Sequence, residues 1–238
     1  MNWPFIIAVL ACAGFVQGLT GFGFGLVSMS LLPAVLGLKE AAAVGTLYGL
    51  LVIIATFARH YRDYDWRLGM PFLIPMMVSV PVGVYFLENL DERLLLKTLG
   101  AVMVYFAVRE FLVKRPLQSI STAMSIPFGI FSGVLSGAFN LGGIPTATYA
   151  YAHPWTRGQI MAFLQMVLIL SCTFRLLLYG TVGYLKEFSW TFGAVVAVPL
   201  FGSMLLGNYV MNRVHPKRMR QGIFVFIGVA GLYYLLWH

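Results

Sequence analysis

Apolar residues run along this chain in eight segments, 3–36, 41–58, 67–87, 93–113, 123–152, 158–182, 188–211 and 219–237, separated by short polar gaps. A helix that crosses a hydrocarbon core of roughly 30 Å needs roughly 20 such residues, so the pattern predicts a succession of membrane helices. Segments one and five depart from it. The first is 34 residues long, about 50 Å as one helix, well beyond what a bilayer requires. It is broken by GLTGFGFG, Gly18 to Gly25, and the fifth is broken near its middle by SGAFNLGGIP, Ser136 to Pro145.

Composition sharpens the class. With 60% of residues hydrophobic, 10% charged and a mean hydropathy of +0.84, almost nothing is left over for a soluble domain. Cys12 and Cys172 both lie inside apolar runs and read as small buried side chains, not a disulfide. The net charge of +8 comes from Lys and Arg scattered among the gaps, where membrane topology explains them better than nucleic acid. The start MNWPFIIAVL has no basic region and no convincing cleavage site, so the first segment is expected to be retained.

The two broken segments belong to a longer internal match. An offset of 119 pairs Gly14-Phe-Val-Gln-Gly18 with Gly133-Val-Leu-Ser-Gly137, and Gly23 with Gly142; an offset of 124 pairs Gly83 with Gly207 and Asp91-Glu-Arg93 with His215-Pro-Lys217. The chain therefore divides into a first transmembrane repeat, 1–113, a linker, 114–122, and a second repeat, 123–238. If every segment crossed the membrane, the 16 Lys and Arg would divide eight to eight. If segments one and five instead enter and return as hairpins, eleven fall on one side and five on the other, the bias expected of a cytoplasmic face. The expected fold is an all-α polytopic membrane protein of two inverted repeats, each a broken-helix or re-entrant hairpin segment plus three transmembrane helices.

Irregular backbone at membrane depth survives only where protein or a polar cavity satisfies it, so two matching breaks point to a site between the repeats. Half-helices that begin after the breaks aim N–H groups and a positive dipole end toward an anion. The residues expected to bind it are Gln17, Thr20, Gly21 and Gly23 on one side and Ser136, Asn140, Gly142 and Gly143 on the other. Arg175, with seventeen uncharged residues between it and Arg157 and ten after it, would supply positive charge, since an ionisable group so placed faces a cavity or a partner. Close helix packing by glycine and snorkelling by Arg175 are the competing readings. Gln165 on the same segment reads as helix-to-helix glue, and His60 and His153 as interface residues. No metal-binding or hydrolase motif occurs, so no enzymatic activity, cofactor or metal is expected.

GFVQGLTGFGFG followed by Pro33, DYDWRLG at Asp63 to Gly69, the Gly83 segment and SGAFNLGGIP resemble the TauE/SafE family of sulfite and organosulfur anion exporters over nearly the full chain. The resemblance implies a multi-pass permease of the cytoplasmic membrane for sulfite or an organosulfonate such as sulfoacetate. Phe22 and Phe24 between the glycines, and Asn140 where glycine is common, depart from the family pattern and leave the pocket's substrate open. Alternating access is the expected mechanism, with an anion channel or a permease for another small organic acid as the alternatives; H+ and Na+ are the candidate coupling ions, although no carboxylate at the centre of a span marks a site for either.

Overall fold

A computed structural model describes residues 3–112, 121–184, 190–211 and 216–237, so most of the expected linker and the gaps around Lys186 and His215 lie outside the described residues. Every regular element in it is helical. The first half contains α1 (Trp3–Thr20), α2 (Phe24–Leu31), α3 (Pro33–Leu36), α4 (Leu38–Phe57), α5 (Trp66–Asn89) and α6 (Glu92–Leu112). The second contains α7 (Ser125–Phe139), α8 (Gly143–Tyr151), α9 (Arg157–Val182), α10 (Trp190–Met211) and α11 (Pro216–Trp237). Four of these, α1, α4, α5 and α9, are long and apolar enough to cross a membrane. Side chains such as Val78, Val198 and Leu236 stand more than 70% exposed on the outside of the bundle. In water such a surface would aggregate; in lipid it is the ordinary exterior. The protein is an integral, multi-pass membrane protein.

Local chemistry sets the helix ends. Gly21 at φ +80° closes α1, and Asn140 at φ +59° closes α7 at the matching position. At the second site Leu141 N–H reaches back to the Leu135 carbonyl and Asn140 N–H to that of Ser136, which ties off the last turn. Gly37 at φ +77° separates α3 from α4, and the Glu92 carboxylate accepts from the first amide of α4, Leu38, at 2.7 Å. Asp65 caps α5, and a capping box between Thr156 and Gln159 starts α9. Helix α5 runs through three prolines, Pro71, Pro75 and Pro81.

The second break reverses the chain. Ser132 Oγ on α7 donates to the Gly142 carbonyl at 2.9 Å and lies 2.8 Å from Thr146 Oγ1 on α8, while the Phe128 and Tyr149 rings meet at 6.0 Å. Residues early in α7 thus lie beside residues late in α8, and the segment enters and returns on the same side. At the first break α2 likewise packs on α1.

Helix pairing between the halves survives their exchange. Helix α1 packs on α10 as α7 packs on α5, and α6 packs on its counterpart α11 as α4 does on α9. Six of the glycines matched in the sequence, Gly14, Gly18, Gly83, Gly133, Gly137 and Gly207, are the crossing points. A Cβ on Gly14 would meet Leu200 and Ser203 of α10, and one on the equivalent Gly133 would meet Met76 and Ser79 of α5. Gly18 and Gly207 approach each other, as do Gly137 and Gly83. Small residues here bring the helix backbones close enough for dispersion contacts that lipid cannot replace. Gly14, Gly18, Gly133 and Gly137 therefore serve packing, the competing reading for the glycine-rich stretches, and are distinct from the glycines of the breaks.

Gly137→Ala is expected to cost about 1–3 kcal/mol, because its Cβ would enter the Val80 carbonyl on α5. Gly202→Ala on α10, with nothing within 4 Å, is expected to be neutral or to gain up to about 1 kcal/mol of helix propensity. Thermal melts of the two variants in detergent measure the contrast.

Candidate functional site

Both breaks are largely buried in the protein, with Thr20 and Asn140 partly exposed, and α9 packs its polar side chains onto each of them. At the first, Gln17 is 1% exposed and Gln165 is fully buried. Gln17 Nε2 donates to the Gly21 carbonyl at 2.8 Å and to Gln165 Oε1 at 3.3 Å, while its Oε1 accepts from Phe24 N–H, the first amide of α2, at 3.1 Å. Gln165 Nε2 donates to the same Gly21 carbonyl at 2.6 Å. Two carboxamides thereby satisfy the carbonyl left over by the left-handed turn and one amide of the new helix, groups that lipid would leave unpaired.

At the second break the closing group is a cation. Arg175 has no exposed surface. Its Nη1 donates to the Ser136 carbonyl at 2.5 Å, and its Nη2 to Asn140 Oδ1 at 2.7 Å and Cys172 Sγ at 3.2 Å. The Ser136 and Ser171 hydroxyls are hydrogen-bonded to each other, and Tyr179 donates to the Gly137 carbonyl at 3.3 Å. Ser171, Arg175 and Tyr179, spaced one turn apart, thus present a single polar edge of α9 to the last turn of α7. A positive charge at a helix C-terminus is favourable, and the guanidinium sits against the negative end of the α7 dipole. Arg175 Nε is nonetheless buried without a hydrogen-bond partner. No Asp or Glu pairs with Arg175 among the described residues; His60 and Asp63 form an ion pair at 3.8 Å elsewhere.

The two breaks touch. A Cβ on Gly25 would run into the Asn140 carbonyl, and one on Gly143 would come within 3.1 Å of the Phe22 carbonyl. Gly45 on α4 faces Ser28 Oγ and Asn140 Nδ2. Gln17, Gly21, Ser136, Asn140, Gly143 and Arg175 are thus gathered into one region. Gly23 and Gly142 start α2 and α8 with no side-chain cap of their own, and Gly142 is held against Ser132 and Ser136. Thr20 does something else: its hydroxyl donates to the Val16 carbonyl at 2.9 Å and accepts from Phe22 N–H at 3.4 Å, a local cap on the end of α1. The expectation that α2 offers uncommitted N–H groups is also modified, since Gln17 already occupies that of Phe24.

Gln165, Ser171 and Cys172 were not among the expected site residues. A single Gln in an apolar helix reads as glue, and glue is one of its roles here, because it ties α9 to α1. The available signal was the run of polar residues along one segment from Gln165 through Ser171 to Arg175, in a helix with no other charged residue after Arg157. His153 stacks on Trp155 at 4.8 Å, with Nδ1 2.9 Å from the Tyr149 carbonyl, an aromatic anchor well away from the breaks.

Paired breaks of irregular backbone, sealed inside a bundle of apolar helices, are the architecture of multi-pass membrane transporters. Comparison with known proteins gives the particular family: the sulfite exporter TauE/SafE family matches residues 6–234, and the chain belongs to it. It is similar to a protein of Cupriavidus necator described as a probable sulfite/organosulfonate exporter TauE, 30% identical over 94% of this chain and 90% of the relative. A probable membrane transporter protein of Methanocaldococcus jannaschii is 25% identical over 97% of this chain and 96% of its own length. A probable membrane transporter protein of Haemophilus influenzae is 29% identical over 58% of each chain. No solved structure matches. The chain is a membrane transporter, not an enzyme.

Because Gln17 and Gln165 share one carbonyl, their losses are expected to be non-additive. In a double-mutant cycle with Gln17→Leu and Gln165→Leu, melts in detergent should give a coupling of about 0.5–3 kcal/mol, and strict additivity would contradict the shared bond.

Proposed function

We propose that this protein is a secondary transporter that exports a small sulfur oxyanion or organosulfonate, sulfite or a sulfoacetate-like anion, across the cytoplasmic membrane by alternating access. The observation that carries this reading is Arg175. A guanidinium with no exposed surface, no carboxylate partner among the described residues and an unbonded Nε is costly in a membrane interior, and an anion beside it relieves that cost. A guanidinium can also donate in bidentate fashion to two oxygens of a sulfur oxyanion. The name of the Cupriavidus necator relative points to the same chemistry.

Alternating access fits two inverted repeats, 1–113 and 123–238, joined by the linker. Glycine registers support the inversion. Helices α5 and α7 run parallel, since Gly129, Gly133 and Gly137 meet Phe72, Met76 and Val80 in turn, and α1 and α10 run parallel in the same way. Helices α6 and α11 are antiparallel, with Gly100 against Leu235 and Ala107 against Gly228. Two halves related by a two-fold axis in the membrane plane produce this set of directions. The packing at the breaks favours a carrier over a channel, because Gln17, Ser136, Gln165 and Arg175 leave no more than 2% of their surfaces exposed. The substrate site in this reading comprises Gln17, Thr20, Gly21, Gly23, Ser136, Asn140, Gly142, Gly143 and Arg175, with Thr20 acting through the turn that it caps. Translocation requires α9 to move off one break while it holds the other, which breaks a few hydrogen bonds at a time. A coupling ion, H+ or Na+, would drive the cycle.

In proteoliposomes, Arg175→Gln and Asn140→Gly are each expected to lower sulfite efflux at least tenfold while eluting as folded protein on gel filtration. Asn140→Gly keeps the left-handed turn and removes only the side chain. Unchanged saturable flux and counterflow in both variants would remove the second break from the transport path.

A further inference from the structure

Charge at the breaks restricts the anion further than its chemical class does. Helices α1, α2, α7 and α8, which form both broken segments, contain no Asp, Glu, Lys, Arg or His. Helix α9 contributes Arg175 and, at its far end, Arg157. Around Arg175 the titratable groups are Cys172 and Tyr179 of its own helix, both neutral at ordinary pH. Helix α4 carries Lys39 and Glu40 in its first turn and Tyr48 further on, and α5 carries Glu88 in its last turn, on the side of Tyr184. Helix α8 offers Tyr149, in tilted ring contact with His153. The His60–Asp63 pair belongs to the turn that packs near the start of α9. Arg109 of α6 donates to Thr148, five residues beyond Gly143, and is committed there. Among the described residues, Arg175 is the one charged group hydrogen-bonded at the turn of the second break, with Arg109 held further along α8 at Thr148.

We infer that this break accepts compact monoanions and excludes dianions, so that sulfite crosses as hydrogen sulfite; the inference rests on the export reading above and narrows it to sulfite and singly charged sulfonates, setting sulfoacetate aside. In a poorly polarisable interior the cost of net charge rises with its square. Arg175 with a monoanion is neutral. Arg175 with a dianion leaves one uncompensated negative charge, and the dianion has also lost a much larger hydration energy. The empty site is tolerable because the carbonyl end of α7 and Asn140 Oδ1 lie against the guanidinium, so the carrier can return unloaded. Bound monoanion oxygens would take the Nε–H that has no partner and share the Nη groups now held by Ser136 and Asn140.

Hydrogen sulfite loses its proton near neutrality, whereas methanesulfonate is a monoanion throughout, and sulfate and sulfoacetate are dianions. The test is initial-rate flux of these four anions through the purified full-length protein in proteoliposomes, from neutral to mildly alkaline pH. Sulfite flux is expected to fall about tenfold for each pH unit above neutrality, methanesulfonate flux to stay level, and sulfate and sulfoacetate to pass at least tenfold more slowly than methanesulfonate. The level methanesulfonate profile separates titration of the substrate from titration of the protein. Sulfate or sulfoacetate carried as fast as methanesulfonate, or sulfite flux that holds or rises with pH, overturns the charge selection and leaves anion export standing. Flux of none of the four overturns export of sulfur oxyanions itself.

Discussion

Lipid offers no hydrogen bonds, and that constraint organises everything in this molecule that is not plain helix packing. A chain that interrupts two helices in the interior must provide partners for the backbone groups it releases there. It does so with one helix. From α9, Gln165 reaches the Gly21 carbonyl and Arg175 reaches the Ser136 carbonyl, so the same rigid element seals both interruptions. Any movement of α9 along its axis therefore acts on both breaks together.

The two seals differ in kind although the breaks match in position. Gly21 and Asn140 occupy equivalent left-handed turns. Gly21 is served by neutral amides, which satisfy its carbonyl and the next helix start without adding charge. Asn140 is served by a cation whose bonds to a carbonyl and an amide oxygen are replaceable by stronger ones to an anion. A common scaffold thus carries one neutral clasp and one charged clasp, and in the export reading proposed above the charged clasp is where the anion would bind. The glycine crossings of α1 on α10 and of α7 on α5 hold the frame around them, with backbones so close that a single Cβ would force them apart.

Much of this was legible in the sequence. Helix content and membrane residence followed from apolar runs of bilayer length. The breaks followed from glycine density in segments too long for one crossing, and the internal match placed Gly14, Gly18, Gly133, Gly137, Gly83 and Gly207 in register before their contacts were known. Asn140 and Arg175 were recognisable because polar and charged groups are expensive in hydrocarbon. Less legible was the division of labour. Thr20 resembles a ligand in composition and works as a local cap, while Gln165 resembles glue and completes the first break. Polarity marks a residue as constrained; only its partner says by what.

The sequence by itself determined the class of protein, the existence and spacing of two interruptions, and the family to which they belong, because each depends on local composition and on a repeat that can be counted. Tertiary structure alone decided that the second segment turns back on itself, that the two breaks touch at Asn140 and Gly25, and that α9 supplies the closing side chain to each. Those outcomes depend on contacts between residues far apart in the chain, such as Gln17 with Gln165 and Arg175 with Ser136. No local pattern encodes which distant donor will reach an orphaned carbonyl; the packing of helices at their glycine crossings sets that distance.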